Sequence, residues 1–211
     1  MTIHHPLIPG ALLFFCACAP PEEAAQGGAP NGLITGVILN VAPLGGGQTL
    51  RFGWSDPGDG GDPILDDIVL QDASDEDPHA PASYQLSVEV WDEQAEPAAD
   101  VTPDVLNLAE QHQLFITGSA IDGPATAARA DAILAHEYAD SDRNGLPLGL
   151  DHRVTTQALG SGEFTVTVRY LPLKRGEPQK VAGLAEAVAV GGFNAIPGRN
   201  DAQVTFNVRV E

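Results

Sequence analysis

The sequence predicts an all-β protein: an immunoglobulin-like antiparallel β-sandwich with one short helix, following a signal and tether segment. Three segments, residues 84–91, 163–170 and 203–210, alternate apolar and polar side chains with a period of two. This period is typical of half-buried strands. Turn sequences rich in Gly, Pro and Asn separate the segments, and no regular helices intervene. Many short strands at such spacing favour two packed antiparallel sheets.

Residues 1–17 resemble a bacterial lipoprotein signal peptide. The apolar run at residues 7–17 is shorter than the roughly 20 residues of a membrane-spanning helix and has the length of a secretory h-region. Small Ala17 precedes Cys18, whereas bulky Phe15 precedes Cys16, so Cys18 is the predicted lipidated residue. Residues 18–31 then form a polar tether. An ordinary cleaved signal peptide and a misassigned start of translation are the alternatives that the sequence leaves open.

Weaker strand patterns and one helix complete the predicted domain, residues 32–211. Thr102 can cap the helix, Pro103 suits its first turn, and Val105, Leu108 and Ala109 give it an inward face. Residues 125–139 suit a helix by propensity, but their alternation favours a strand from about residue 131. The weaker strands are predicted at residues 33–41, 48–54, 66–71, 113–118 and 152–158.

Charge and cysteine content limit the possible partners. The formal net charge is −19, and residues 1–140 hold 22 acidic residues against two basic ones, Arg51 and Arg129. Such a field repels nucleic acids and anionic lipid headgroups. The predicted partners are therefore a membrane, through the acyl anchor, and an unidentified protein or glycan, but no nucleic acid. A chain that begins at Cys18 has no thiol left for a disulfide or a nucleophile. The oligomeric state does not follow from the sequence.

Four segments carry a resemblance to known sequences: Glu-Gln-His-Gln at 110–113, the Asp- and Gly-rich stretch 140–150, and the strands 162–169 and 204–208. Together they resemble a family of uncharacterised bacterial lipoproteins that often carry the label "type 1 periplasmic binding fold". That label implies alternating strands and helices around a parallel sheet, whereas the period-two alternation here predicts an antiparallel sandwich. Residues 72–79 and 170–198 depart from the family pattern, so a function peculiar to this chain is expected there.

One loop has the ligand spacing of a calcium site. Calcium binds six to eight oxygen atoms, and a tight Gly turn at position 6 lets successive side chains face one ion. Calcium is therefore the one cofactor that the sequence suggests. A plain hairpin turn with Asn-Gly at its tip needs no ion and remains the alternative. The predicted ligands are Asp140, Asp142, Asn144, the Leu146 carbonyl and Asp151, at positions 1, 3, 5, 7 and 12.

The remaining residues favour a binding or structural module over an enzyme. The Gly-Ser-Gly at residues 160–162 is not a nucleophile elbow, and phosphate-loop and dinucleotide motifs are absent. The sequence thus predicts an exported, lipid-anchored module of the bacterial cell envelope, in the outer membrane rather than the inner one. One alternative is a metal carrier that uses the histidines with the acidic loops, in which His112, His136 or His152 converge on one metal position. Another is a carboxylate-dependent hydrolase.

Overall fold

The structure is a computed structural model that describes residues 33–58, 61–72 and 81–211. The predicted signal peptide, the lipidated Cys18 and the tether lie outside the described residues. The strands, in chain order, are β1 (Gly36–Pro43), β2 (Leu50–Ser55), β3 (Ile64–Leu65), β4 (Ile68–Leu70), β5 (Ser83–Asp92), β6 (Ala99–Asp100), β7 (His112–Thr117), β8 (Ile121–Asp122), β9 (Leu134–Tyr138), β10 (Asp151–Thr156), β11 (Gly160–Tyr170) and β12 (Arg199–Val210).

The strands form two sheets, which confirms the predicted all-β sandwich. The first sheet has the order β3-β2-β1-β5-β10-β9-β8, with β6 also paired to β5, and the second has the order β4-β12-β11-β7. Neighbouring strands are antiparallel except for two short parallel pairs, β4 with β12 and β8 with β9. The three strongest alternating segments form β5, β11 and β12, the long central strands.

The core lies between the sheets and follows the alternation that the sequence shows. Along β5, Leu86 and Val88 are buried while the intervening Ser87 is half-buried. Phe164 and Phe206, on β11 and β12 of the second sheet, belong to the same apolar cluster as the β5 residues of the first sheet, so both sheets contribute to it. The period of two thus places one face of each long strand in the core.

The predicted helix is present as α1 (Thr102–Asn107), with Pro103 in its first turn and Val105 fully buried. Thr102 does not cap it, because Val101 holds the N-cap position. The Thr102 hydroxyl instead accepts a hydrogen bond from the Val90 amide, 2.9 Å away. The side chain that the sequence predicts as a cap therefore fastens the helix to β5.

The structure adds a second helix, α2 (Leu184–Gly191), within the segment that departs from the family pattern. Leu184 and Val188 of α2 pack with Phe115 of β7 and with Leu171 in a second apolar cluster, separate from the main core. This cluster explains why β7 and the end of β11 are buried on both faces. The second cluster, which includes α2, thus covers the outer face of the second sheet at β7 and the end of β11, while the outward side chains of β12 stay exposed.

Candidate functional site

Residues 140–151, here named the bridging loop, connect β9 to β10 in the first sheet and also bind the second sheet. The strand β7 ends the second sheet, and its Leu114 amide donates a hydrogen bond of 2.7 Å to the Leu148 carbonyl. The Leu150 carbonyl accepts one of 2.8 Å from Val88 of β5. Leu148 and Leu150 are themselves buried. The bridging loop therefore closes one side of the sandwich.

The Asp140 carboxylate holds the returning half of the bridging loop. Its Oδ1 accepts a hydrogen bond from the Gly149 amide at 2.7 Å. Its Oδ2 accepts from the amides of Leu150 and Asp151, at 2.9 and 3.1 Å. Charged acceptors make stronger hydrogen bonds than neutral ones. The Asp140 carboxylate thus binds three consecutive backbone amides of the bridging loop.

Asp142 forms a buried ion pair with a lysine from the segment before α2. Its Oδ1 accepts hydrogen bonds from the amides of Asn144 and Leu146, at 2.9 and 3.0 Å. Its Oδ2 lies 3.0 Å from the Lys180 Nζ, which also donates to the Ala109 carbonyl at 2.9 Å. Lys180 is only 3% exposed and Asp142 7%. The lysine therefore joins the bridging loop to residue 109 and to the α2 segment.

Burial and the ion pair shift the pKa values of Asp142 and Lys180 in opposite directions. Burial lowers the pKa of Lys180, and the carboxylate of Asp142 limits that decrease. Burial alone would raise the pKa of Asp142, but Lys180 and the two loop amides outweigh it, so the pKa is lowered. Pairing therefore favours the charged form of each partner, against the effect of burial. A buried ion pair of this kind is costly to break from one side, because the remaining charge stays buried.

Four of the predicted calcium ligands already have hydrogen-bond partners within the protein. Asp140 and Asp142 already use their oxygens for backbone amides and for Lys180, and the Leu146 carbonyl accepts the Asp142 amide at 2.8 Å. Asp151 faces Gln85 of β5 at 3.4 Å. In the described part of the chain, no three His, Cys, Asp or Glu side chains form a group that could hold a metal ion. Lys180 supplies the positive charge here, and calcium binding stays a prediction.

Two of the three histidines named in the metal-carrier alternative do meet. His136 Nε2 lies 2.7 Å from His152 Nδ1, and His152 Nε2 lies 2.7 Å from the Gly149 carbonyl of the bridging loop. Burial lowers the pKa of His136 to about 3 and that of His152 to about 4, since a charged imidazole loses its hydration there. Both rings are therefore neutral at pH 7.

His112 contacts other residues than His136 and His152 do. Its Nδ1 donates to the Leu108 carbonyl at 3.1 Å, its ring packs against Tyr170 with centroids 5.0 Å apart, and its Nε2 is 3.7 Å from Asp201 Oδ2. His112 thus fastens the start of β7 to the residue that follows α1 and packs on Tyr170 of β11. It makes these contacts apart from the His136–His152 pair.

A groove of about 320 Å³ lies along the first sheet near β2 and β3. Arg51, Trp54, Asp66 and Glu93 line it, together with smaller and aliphatic residues. The Arg51 side chain is exposed, and among the described residues its guanidinium has no hydrogen-bond or ion-pair partner. An unpaired guanidinium presents five N–H donors to a ligand.

The sequence analysis predicts neither the buried ion pair of Lys180 nor the contact between His136 and His152. Lys180 stands in a segment without a recognisable motif, so nothing local indicates that it is buried. The histidine contact could have been found from the hairpin around the bridging loop, since in the β9–β10 register Tyr138 pairs with His152 and His136 with Val154. Both features depend on how the bridging loop folds.

Comparisons with protein-family models, curated proteins and solved structures find no match to this chain. Among the described residues, no helix is long and apolar enough to cross a membrane.

Proposed function

We propose that the chain is an exported, lipid-anchored binding module of the bacterial cell envelope, whose ligand occupies the groove at Arg51. The anchor part rests on the leader pattern that ends in Ala17-Cys18. The binding part rests on one observation, the exposed guanidinium of Arg51 that has no partner in the described part of the chain. The packed sandwich would present this side chain beyond the predicted tether.

The chemistry of the groove favours a glycan that carries an occasional carboxylate. Arg51 suits a carboxylate, because its planar fork of donors matches two carboxylate oxygens. Asp66 and Glu93 can accept hydrogen bonds from hydroxyl groups, and the exposed Ile64 offers an apolar surface. A net charge of −19 repels densely charged polyanions. The ligand class is therefore a mostly neutral envelope polysaccharide with isolated carboxylates.

Co-sedimentation of the purified protein with insoluble peptidoglycan sacculi tests this proposal. We expect Arg51→Met to reduce the bound fraction at least about tenfold, since charge-assisted hydrogen bonds are worth about 1.5–3 kcal/mol each. Arg129→Met is the matched control, because Arg129 is the other basic residue of the acidic part and is also exposed. Equal binding by the two variants, or no binding by the unaltered protein, would contradict the proposed ligand.

The predicted lipid anchor is tested by growing cells that express the full chain in medium with radiolabelled palmitate. The measurement is the label incorporated into the protein. We expect label in the Cys16→Ser variant and in the unaltered chain, and none in Cys18→Ser. Label that survives in Cys18→Ser would contradict the predicted lipidation site.

A further inference from the structure

The outer face of the second sheet carries a cleft at the end remote from α2. The cleft has a volume of about 500 Å³ and lies across the start of β11, the end of β12 and the edge strand β4. This volume is within the range of small-molecule sites. The groove at Arg51 lies on the first sheet, so the two sites are separate. The polar side chains that line the cleft are Asp67, Ser161, Glu163, Asn207 and Arg209.

Hydrogen-bond acceptors face one end of the cleft. In the β11–β12 register Glu163 lies opposite Asn207. The Asp67 carboxylate can only accept, so Asn207 Nδ2 donates to it at 2.9 Å and Asn207 Oδ1 points away from it. Glu163 is exposed, and its carboxylate has no hydrogen-bond or ion-pair partner in the part of the chain that the structure describes. An amide oxygen beside a free carboxylate suits an ammonium group, which has donors and no acceptor.

A guanidinium lies at the other end of the cleft. Arg209 follows Asn207 by two residues on β12, so both side chains point to the same outer face. Arg209 Nε lies 3.0 Å from Glu211 Oε2, in a pair with both side chains about half exposed. Exposed ion pairs of this kind are weak, and a guanidinium has further N–H donors for a ligand carboxylate. The two ends of the cleft therefore complement opposite charges.

The separation of the two ends matches the length of a dipeptide. Outward residues of a strand follow each other at about 6.8 Å, and two extended residues span about 6.6–7.2 Å. A zwitterion has no net charge, so the acidic field of the chain does not repel it. We propose that the cleft binds a zwitterionic dipeptide, with its ammonium on Glu163 and Asn207 Oδ1 and its carboxylate on Arg209. The hydroxyl of Ser161, opposite Arg209 in the register, binds the same carboxylate.

Isothermal titration calorimetry of the purified protein with L-alanyl-L-alanine tests this proposal. An ionic strength of about 0.15 M screens the net charge of the protein. We expect saturable binding that weakens at least about tenfold when the dipeptide is N-acetylated or carboxy-amidated, since each change removes a charge-assisted contact. Free L-alanine should bind at least about tenfold more weakly, because it is too short to reach both ends. No binding of the dipeptide, or equal binding of any of these three compounds, would overturn the proposal.

Variants at the two ends assign the contacts. Arg209→Met should weaken the dipeptide at least about tenfold but the carboxy-amide by less than about threefold, because the amide has no carboxylate to bind. Glu163→Gln should likewise weaken the dipeptide but not its N-acetyl derivative. Arg153→Met, which alters an exposed arginine of the first sheet, is the control and should leave dipeptide binding unchanged. Equal losses for the dipeptide and the amide in Arg209→Met would also overturn the assigned site.

Discussion

Replacing Lys180 by methionine is expected to lower the free energy of unfolding by about 3–5 kcal/mol, as for other buried ion pairs that lose one partner. Methionine fills a similar volume but leaves the carboxylate of Asp142 buried without its cation. It also removes the donor to the Ala109 carbonyl. Urea unfolding of the purified protein measures the change. Lys174→Met is the control, because Lys174 is exposed and is expected to lose less than about 0.5 kcal/mol.

A second substitution distinguishes an unpaired charge from a packing defect. The double variant Lys180→Met with Asp142→Asn removes both charges but keeps an oxygen that accepts from the Asn144 and Leu146 amides. We expect it to be more stable than Lys180→Met alone, because no charge stays buried. A double variant that is less stable than the single one would show that the charge of Asp142 is not the cause.

Replacing Gly149 by alanine is expected to detach the bridging loop from β7. Gly149 has φ +88°, and a Cβ there would lie 2.6 Å from the Leu114 carbonyl oxygen, which belongs to the backbone and cannot yield. Gly145 at the loop tip has a similar φ of +75°, but nothing lies within 4 Å of its Cβ position. Gly145→Ala is therefore expected to lower the free energy of unfolding by about 1–2 kcal/mol, the strain of a left-handed backbone conformation.

Gly149→Ala should cost more than Gly145→Ala by about 1–3 kcal/mol, the penalty for buried polar groups that lose their partners. Chemical denaturation of both variants in parallel measures the difference. Equal losses would mean that the close approach of the bridging loop to β7 does not stabilise the sandwich.

The long strands could be predicted from the sequence because each has one face in the core. In β5 and β12 the alternation of apolar and polar residues reports burial directly. The end of β11 alternates less clearly in burial, since α2 covers its outer face and Arg169 is buried there. The alternation of residues 163–170 is enough to place the strand but cannot reveal the second layer.

The helix α2 and the role of Lys180 could not be predicted. The helix sequence, Leu-Ala-Glu-Ala-Val-Ala-Val-Gly, is short, and Val190 at its end is almost fully exposed. Tertiary contact with Phe115 and Leu171, rather than a clear amphipathic pattern, stabilises it. Lys180 becomes a core residue only because the bridging loop brings Asp142 to it, a contact between residues distant in sequence.

The ligand spacing identifies the bridging loop in the sequence, and the structure shows what the two acidic side chains bind within the protein. Acidic side chains two residues apart in a loop can bind an ion or can bind the loop's own amides, and the sequence does not separate these uses. In the structure Asp140 and Asp142 bind five backbone amides. The cation beside them comes from the chain, as Lys180.

Thermal unfolding of the purified protein, in excess EDTA and then in millimolar calcium, tests most directly whether Lys180 takes the place of a metal ion. We expect the same unfolding midpoint in both conditions, because Lys180 already lies beside the Asp142 carboxylate. Calcium that binds only the folded protein would add roughly 2.7 kcal/mol at one hundred times its dissociation constant, a clear increase in the midpoint. Such an increase, if it disappears in Asn144→Ala, a substitution at an exposed predicted ligand, would contradict the account and establish the bridging loop as a calcium site.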